Sequence, residues 1–468
     1  MREKSLVTAL QLCHGVATAA AAAAVVSFPV QPSTSSKVAI PKSSTAVVVF
    51  ITTKEETNFQ LNSKNCAAYK RAMSPPPFST HRHAMQIGCR RTMRTVWPLL
   101  LVAAALCCAS PAASAGTGRC KFPAVFNFGD SNSDTGGFWA AFPAQQGPFG
   151  MTYFGRPAGR ASDGRLVIDF IAQAMGLPLL SPYLQSIGSD YRHGANFATL
   201  ASTVLLPNTS VFVTGISPFS LGIQLNQMKE FRNRVLSSNG NNGQLPRPDI
   251  FGKALYTIDI GQNDFTSNLG SLGVESVKRS LPSIVNQISW TIQDMYNIGA
   301  RHFMVFNMAP IGCYPAFLTE LPHNSNDLDE FGCMKSYNSG VTYYNELLNN
   351  SLAEVRKKLQ DASIVYVDKH TVTLELFQHP TAHGLKYGTR ACCGYGGGTY
   401  NFNQDVYCGN SKVVNGKTAT AGACGDPQNY VSWDGIHTTE AANYKIAYAV
   451  ISGSYSYPPF DLSKLCSP

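Results

Sequence analysis

From Phe122 onward, short apolar runs alternate with longer stretches that repeat every three or four residues. That alternation most restricts the fold, because it fits a parallel sheet covered by helices on both faces. Strands are expected at 124–128, 254–258, 302–307 and 363–367, and helices at 166–175, 277–298 and 341–359. In the second helix Val277, Leu281, Ile284, Ile288, Ile292 and Met295 form one apolar stripe, with Pro282 expected to bend or restart it. Tyr344, Leu347, Leu348 and Val355 form the stripe of the third. The Pro- and Gly-rich stretches 142–159 and 394–400 read as surface loops, and neither an internal repeat nor a long linker divides the chain after Gly116.

Charge divides the chain differently. The first 92 residues carry 11 Lys and Arg against three acids, whereas residues 116–468 carry 25 of each sign, so the basic character belongs to the leader. A near-neutral body has no electrostatic basis for binding nucleic acid, which demands clustered positive charge. Arg90, Arg91 and Arg94 precede the apolar run 96–109, and small Ala113 and Ala115 follow it. That is the form of a signal peptide over 93–115, cut after Ala115; Pro98 and the short run argue against a membrane span. A second Ala-rich stretch, 6–30, competes as a leader, and 31–92 is Ser-, Thr- and Pro-rich without periodicity. Residues 1–92 are therefore expected to be a disordered extension upstream of a natural start at Met93, and 116–468 a single domain.

Eight cysteines follow the leader: Cys120, Cys313, Cys333, Cys392, Cys393, Cys408, Cys424 and Cys466. The number is even and the spacing lacks paired C-x-x-C zinc ligands, so disulfides and an exported protein are expected. Proximity favours Cys313 with Cys333 and pairings within 392–424. Asn208 and Asn349 head glycosylation triplets.

Three polar motifs carry candidate chemistry. Gly129-Asp130-Ser131-Asn132-Ser133-Asp134 ends the first strand, where open α/β sheets place ligands. The stretch lacks the G-K-[ST] of a phosphate loop, and a Ser there can equally cap a helix. Ser432-Trp433-Asp434-Gly435-Ile436-His437 lies far downstream; three-residue spacing lets a carboxylate orient an imidazole that serves as base for a serine hydroxyl. Gly261-Gln262-Asn263-Asp264 follows another strand, and an Asn amide there can donate to an oxyanion.

In this order the motifs resemble the GDSL, or SGNH, hydrolase family, in particular its secreted plant esterase/lipase branch, from about Phe122 to Phe460. The blocks 194–198 and 310–315 add to the likeness. The resemblance implies a flavodoxin-like three-layer α/β/α sandwich with a parallel central sheet. It implies Ser131 as nucleophile, His437 as base, Asp434 orienting it, and an oxyanion hole from the Ser131 and Ala201 N–H groups with the Asn263 side chain. Two positions depart from the pattern. Asn132 replaces the Leu of the family name, a change that touches no proton transfer, and Ala201 replaces a glycine. Ala201 keeps the N–H, and its methyl matters only if that position needs φ > 0 or substrate packs against it.

The expected function is a secreted, extracellular or cell-wall serine esterase acting on small O-acetyl esters of sugars, wall polysaccharides or metabolites, or on lipids. It is expected to be a monomer with no metal, organic cofactor, nucleic-acid partner or membrane span. Some similar proteins carry a fucosidase label, but no carboxylate pair of the kind a glycosidase uses stands out. The competing readings are an acyltransferase on the same site and a carbohydrate-binding protein without turnover, stacking sugars on Trp139, Phe142, Tyr153 and Phe154.

Overall fold

The computed structural model describes residues 120–207, 216–238 and 243–466. The leader 93–115, the stretch before it and Asn208 lie outside the described residues. In chain order, the first half comprises β1 (Val125–Gly129), α1 (Gly137–Ala141), α2 (Val167–Ala174), β2 (Gly194–Asn196), α3 (Leu221–Ser237), β3 (Leu255–Asp259) and α4 (Gln262–Thr266). After them come α5 (Val274–Lys278), α6 (Leu281–Asn297), β4 (His302–Phe306), α7 (Lys335–Lys358), β5 (Ser363–Val367) and α8 (Lys369–Gln378). The last part holds β6 (Tyr387–Ala391), β7 (Ser411–Val414), β8 (Lys417–Thr420), β9 (Tyr430–Ser432), α9 (Glu440–Ile451) and β10 (Ser456–Tyr457).

Six strands form the central sheet in the order β10-β5-β4-β3-β1-β2. All pairings are parallel except that of β10 on β5. The expected parallel sheet is present, with one antiparallel strand added at an edge, where β10 follows α9 and pairs with β5. Every residue of β1 and β3 is buried, the mark of strands covered on both faces. One group of helices packs α6 between α3 and α7, and another packs α9 against α2 and α8, giving the three-layer α/β/α arrangement.

Two helical expectations change. The stripe at 277–298 is two helices: Val277 ends in α5, and Pro282 sits in the first turn of α6, where its missing N–H is no loss. Helix α7 begins at Lys335, well before 341, through the mostly polar stretch 335–340, in which Tyr337 is buried and Gly340 lies against Phe265 and Val274. The short strand β2 carried no apolar signal. It forms because Gly194, at φ +108°, lies so close to β1 that a Cβ would meet the Val125 carbonyl oxygen at 1.8 Å.

Four disulfides join Cys120 to Cys466, Cys313 to Cys333, Cys392 to Cys424 and Cys393 to Cys408. Asn349 lies inside α7 and is only partly exposed. Among the described residues no helix is long and apolar enough to cross a membrane.

Candidate active site

Because β1 and β3 run parallel in direct register, their carboxyl ends open side by side. Gln224 on α3 fixes the end of β1: its side chain accepts from Gly129 N at 2.9 Å and donates to Gly129 O at 2.8 Å. The chain then turns, with the Asp130 carbonyl accepting from Ser133 N and Asp134 N, and presents Ser131, which is 4% exposed.

The structure brings Ser131, His437 and Asp434 together across 306 residues of sequence. Ser131 Oγ lies 2.8 Å from His437 Nε2, and His437 Nδ1 lies 2.7 Å from Asp434 Oδ2. A carboxylate only accepts, so Nδ1 carries the hydrogen and Nε2 is left to accept from the serine hydroxyl. Asp434 Oδ1 accepts from the Ile436 and His437 N–H groups at 3.0 and 2.8 Å, holding the turn that links the pair. The sharpness of that turn depends on Gly435, at φ +98°, where a Cβ would meet the Phe402 ring at 2.4 Å.

Electrostatics follow from the pairing. Burial disfavours the imidazolium, but the charge and hydrogen bond of Asp434 and then the charge of Asp130 outweigh it, so the His437 pKa is raised. Burial likewise opposes ionisation of Asp434, and the facing imidazolium reverses this, holding its pKa below the usual carboxylate value. The disulfide-bearing segment supports the pair from behind. Cys392 N donates to Ser432 O, and Cys393 N donates to Trp433 O at 2.6 Å.

The expected oxyanion donors lie on neighbouring loops. Asn263 is the second residue of α4, which follows β3, and its Nδ2 donates one hydrogen to Ser202 O at 2.8 Å, leaving the other available. Ala201 stands at φ +62°, so this position does demand the left-handed region. Among the described residues neither the Ser131 nor the Ala201 N–H has an acceptor.

Several supporting residues escaped the sequence reading. Asp134 accepts from Gly136, Gly137, Phe138 and Leu200 N–H groups, tying the nucleophile turn to the Ala201 loop. Asp264 accepts from Val204 N at 2.7 Å and Leu205 N at 3.1 Å, clasping the far side of that loop, and burial pushes its pKa up to about 7. Both acids stood inside the quoted motifs, where Asp beside Gly and Asn signals backbone capping. Lys369 pairs with Asp259 at the end of β3, with its Nζ 2.6 Å from Oδ2; a lysine opening a helix gave no such signal. The aromatics considered for sugar stacking each contact a neighbouring side chain, Trp139 packing on Phe138, although Tyr153 remains 45% exposed. Arg160 lies over Phe154, Arg165 over Tyr153, and Phe142 packs on Phe138.

Compared with known proteins, residues 125–450 match the family described as GDSL-like Lipase/Acylhydrolase. The chain is similar to GDSL esterase/lipase At4g01130 of Arabidopsis thaliana, 62% identical over 357 residues covering 75% of this chain and 94% of that protein. It is also similar to GDSL esterase/lipase ACHE of Zea mays, 44% identical with 76% and 92% covered. Alpha-L-fucosidase 3 of Arabidopsis thaliana is 44% identical, with 74% and 93% covered.

Proposed function

Because the chain belongs to the GDSL-like lipase/acylhydrolase family and is on that ground a carboxylic ester hydrolase, we propose that it is a secreted serine esterase of small acyl esters. The O-acetyl groups of sugars and wall polysaccharides are its favoured substrates. The observation that carries this reading is the continuous hydrogen-bonded line from Ser131 Oγ through His437 to Asp434 at the carboxyl edge of the sheet.

Ser131 attacks the ester carbonyl as His437 Nε2 takes its proton, and Asp434 stabilises the imidazolium that results. Negative charge gathers on the former carbonyl oxygen, where the Ser131 and Ala201 N–H groups and Asn263 Nδ2 donate to it. His437 then returns the proton to the leaving alcohol. Water, deprotonated by His437, attacks the acyl-enzyme, and collapse releases the acid and regenerates Ser131. Export is supported by four disulfides that use all eight cysteines after the leader, a pairing that persists in oxidising compartments.

The test is turnover of p-nitrophenyl acetate and of acetylated xylan and pectin by the wild type and Ser131→Ala. The reading expects hydrolysis by the wild type alone, and equal rates in both would overturn it.

A further inference from the structure

The turn that links Asp434 to His437 is held from remote segments of the chain, and one of them contributes a side chain that the cycle above leaves unused. Gly435, inside that turn, donates its N–H to Ser432 Oγ at 3.1 Å and accepts at its carbonyl from Ala316 N at 3.0 Å. Its remaining face, where any other residue carries a Cβ, lies against the ring of Phe402. An added Cβ would meet Phe402 Cδ2 at 2.4 Å and Cε2 at 2.9 Å. An approach this close needs glycine on one side and a fixed ring on the other.

Phe402 is fixed by its own loop. Residues 393–408 are closed by the Cys393–Cys408 disulfide. Just before Phe402, Tyr400 O accepts from Ala391 N at 2.9 Å, Asn401 N donates to Gly397 O at 2.9 Å, and Asn401 Nδ2 donates to Ala391 O at 3.0 Å. The same segment reaches the stretch preceding Asp434, because the Cys392 and Cys393 N–H groups hold the Ser432 and Trp433 carbonyls.

Ordinary core packing does not account for the ring. Phe402 is half-buried, and among the described residues it is packed on none of the three buried apolar clusters. The ring beside it, Tyr407, lies 6.3 Å away between centroids and is itself 52% exposed. Aromatic side chains usually stabilise a protein by burying their area in a core; this one presses instead on the turn between the base and its carboxylate.

We propose that Phe402 is a positioning residue for His437: carried by the disulfide-closed loop, its ring edge fixes Gly435 and so sets the angle at which the imidazole meets Ser131 Oγ. The proposal rests on the Ser131–His437–Asp434 reading. A base must stay within hydrogen-bond reach of the proton it takes, here over 2.8 Å, and a misplacement of about 1 Å can cost on the order of 100-fold in rate. Asp434 Oδ1 still holds the turn through the Ile436 and His437 N–H groups when the ring is gone, so the expected loss is smaller.

The experiment measures kcat and KM for p-nitrophenyl acetate with the disulfide-bonded wild type, Phe402→Ala, Phe402→Leu and Phe402→Tyr, and urea unfolding shows which are folded under assay conditions. Phe402→Ala should lower kcat about tenfold while KM stays within about threefold, because the ring acts on the base and not on the bound ester. Phe402→Tyr keeps the Cδ2 and Cε2 edge and should return kcat to within about threefold of wild type. A merely structural part for the ring would lower stability in Phe402→Ala and leave kcat of the folded enzyme within about threefold, which overturns the proposal. A loss carried by KM overturns it too, and so does a Phe402→Tyr enzyme as slow as Phe402→Ala. If Phe402→Ala does not fold, Phe402→Leu, which keeps bulk without the ring edge, replaces it under the same threshold. Failure of the triad reading is separately visible, as a Ser131→Ala enzyme as active as the wild type, and it would remove this proposal as well.

Discussion

Replacing Asn263 by Ala separates a donor to the transition state from a tether of the loop. In the structure one Nδ2 hydrogen is committed to Ser202 O and the other is unspent. Losing the unspent donor should raise the barrier by about 3 kcal/mol, a fall in kcat of roughly 150-fold. Losing the tether should lower global stability by about 1 kcal/mol, the net value of one such bond. KM should stay within about threefold, because full negative charge exists on the oxygen only at the intermediate. Steady-state kinetics with p-nitrophenyl acetate and urea unfolding on the same preparation read the two effects apart. A kcat within threefold of wild type, or a rise in KM that accounts for the whole loss, would refute the assignment of Asn263 as a donor.

Ala201→Gly should retain kcat/KM within about threefold, because the N–H remains. It should stabilise the fold by about 0.5 kcal/mol, the left-handed strain of ~1–2 kcal/mol relieved less ~0.4–1 kcal/mol of added unfolded-state entropy; a clear loss in urea unfolding would mean that the methyl packs usefully. Lys369→Met leaves the Asp259 carboxylate buried and unpaired, with the two side chains only 8% and 13% exposed, and should cost about 3–5 kcal/mol in urea unfolding at pH 7.5. An effect below 1 kcal/mol would contradict the pairing. The base must be neutral to act, and the His437 pKa is raised, so kcat/KM should decline as pH falls through a value above about 6.5, the ordinary imidazole figure. A rate constant between pH 8 and pH 5 would argue against His437 as base.

The layers and the four central strands were legible because β1, β3, β4 and β5 are buried apolar runs between periodic helices, while their order in the sheet was not read from the sequence. The edge strands were not. β2 is Gly194-Ala195-Asn196 and is specified by close approach of backbone to β1; β10 is two residues long and pairs antiparallel. The break between α5 and α6 was half legible through Pro282, while the start of α7 before 341 had Tyr337 as its one large apolar side chain to announce it. At the candidate site, Ser131, Asp434 and His437 were singled out by their spaced motifs, and the structure places the three side chains in contact. Gln224, Lys369 and the clasping part of Asp264 depend on distances between remote segments, to which one-dimensional spacing is blind. The positive φ of Ala201 was foreseen as the condition under which its methyl would matter, and the backbone meets that condition.

The most direct measurement of the central claim uses an organophosphate ester such as diethyl p-nitrophenyl phosphate, with peptide mass spectrometry to locate the covalent adduct. Loss of activity in step with one phosphoryl group on Ser131, and slow or absent labelling in His437→Ala, is the predicted result. Complete inactivation with the adduct on another residue, or equally fast labelling of Ser131 without His437, would contradict it.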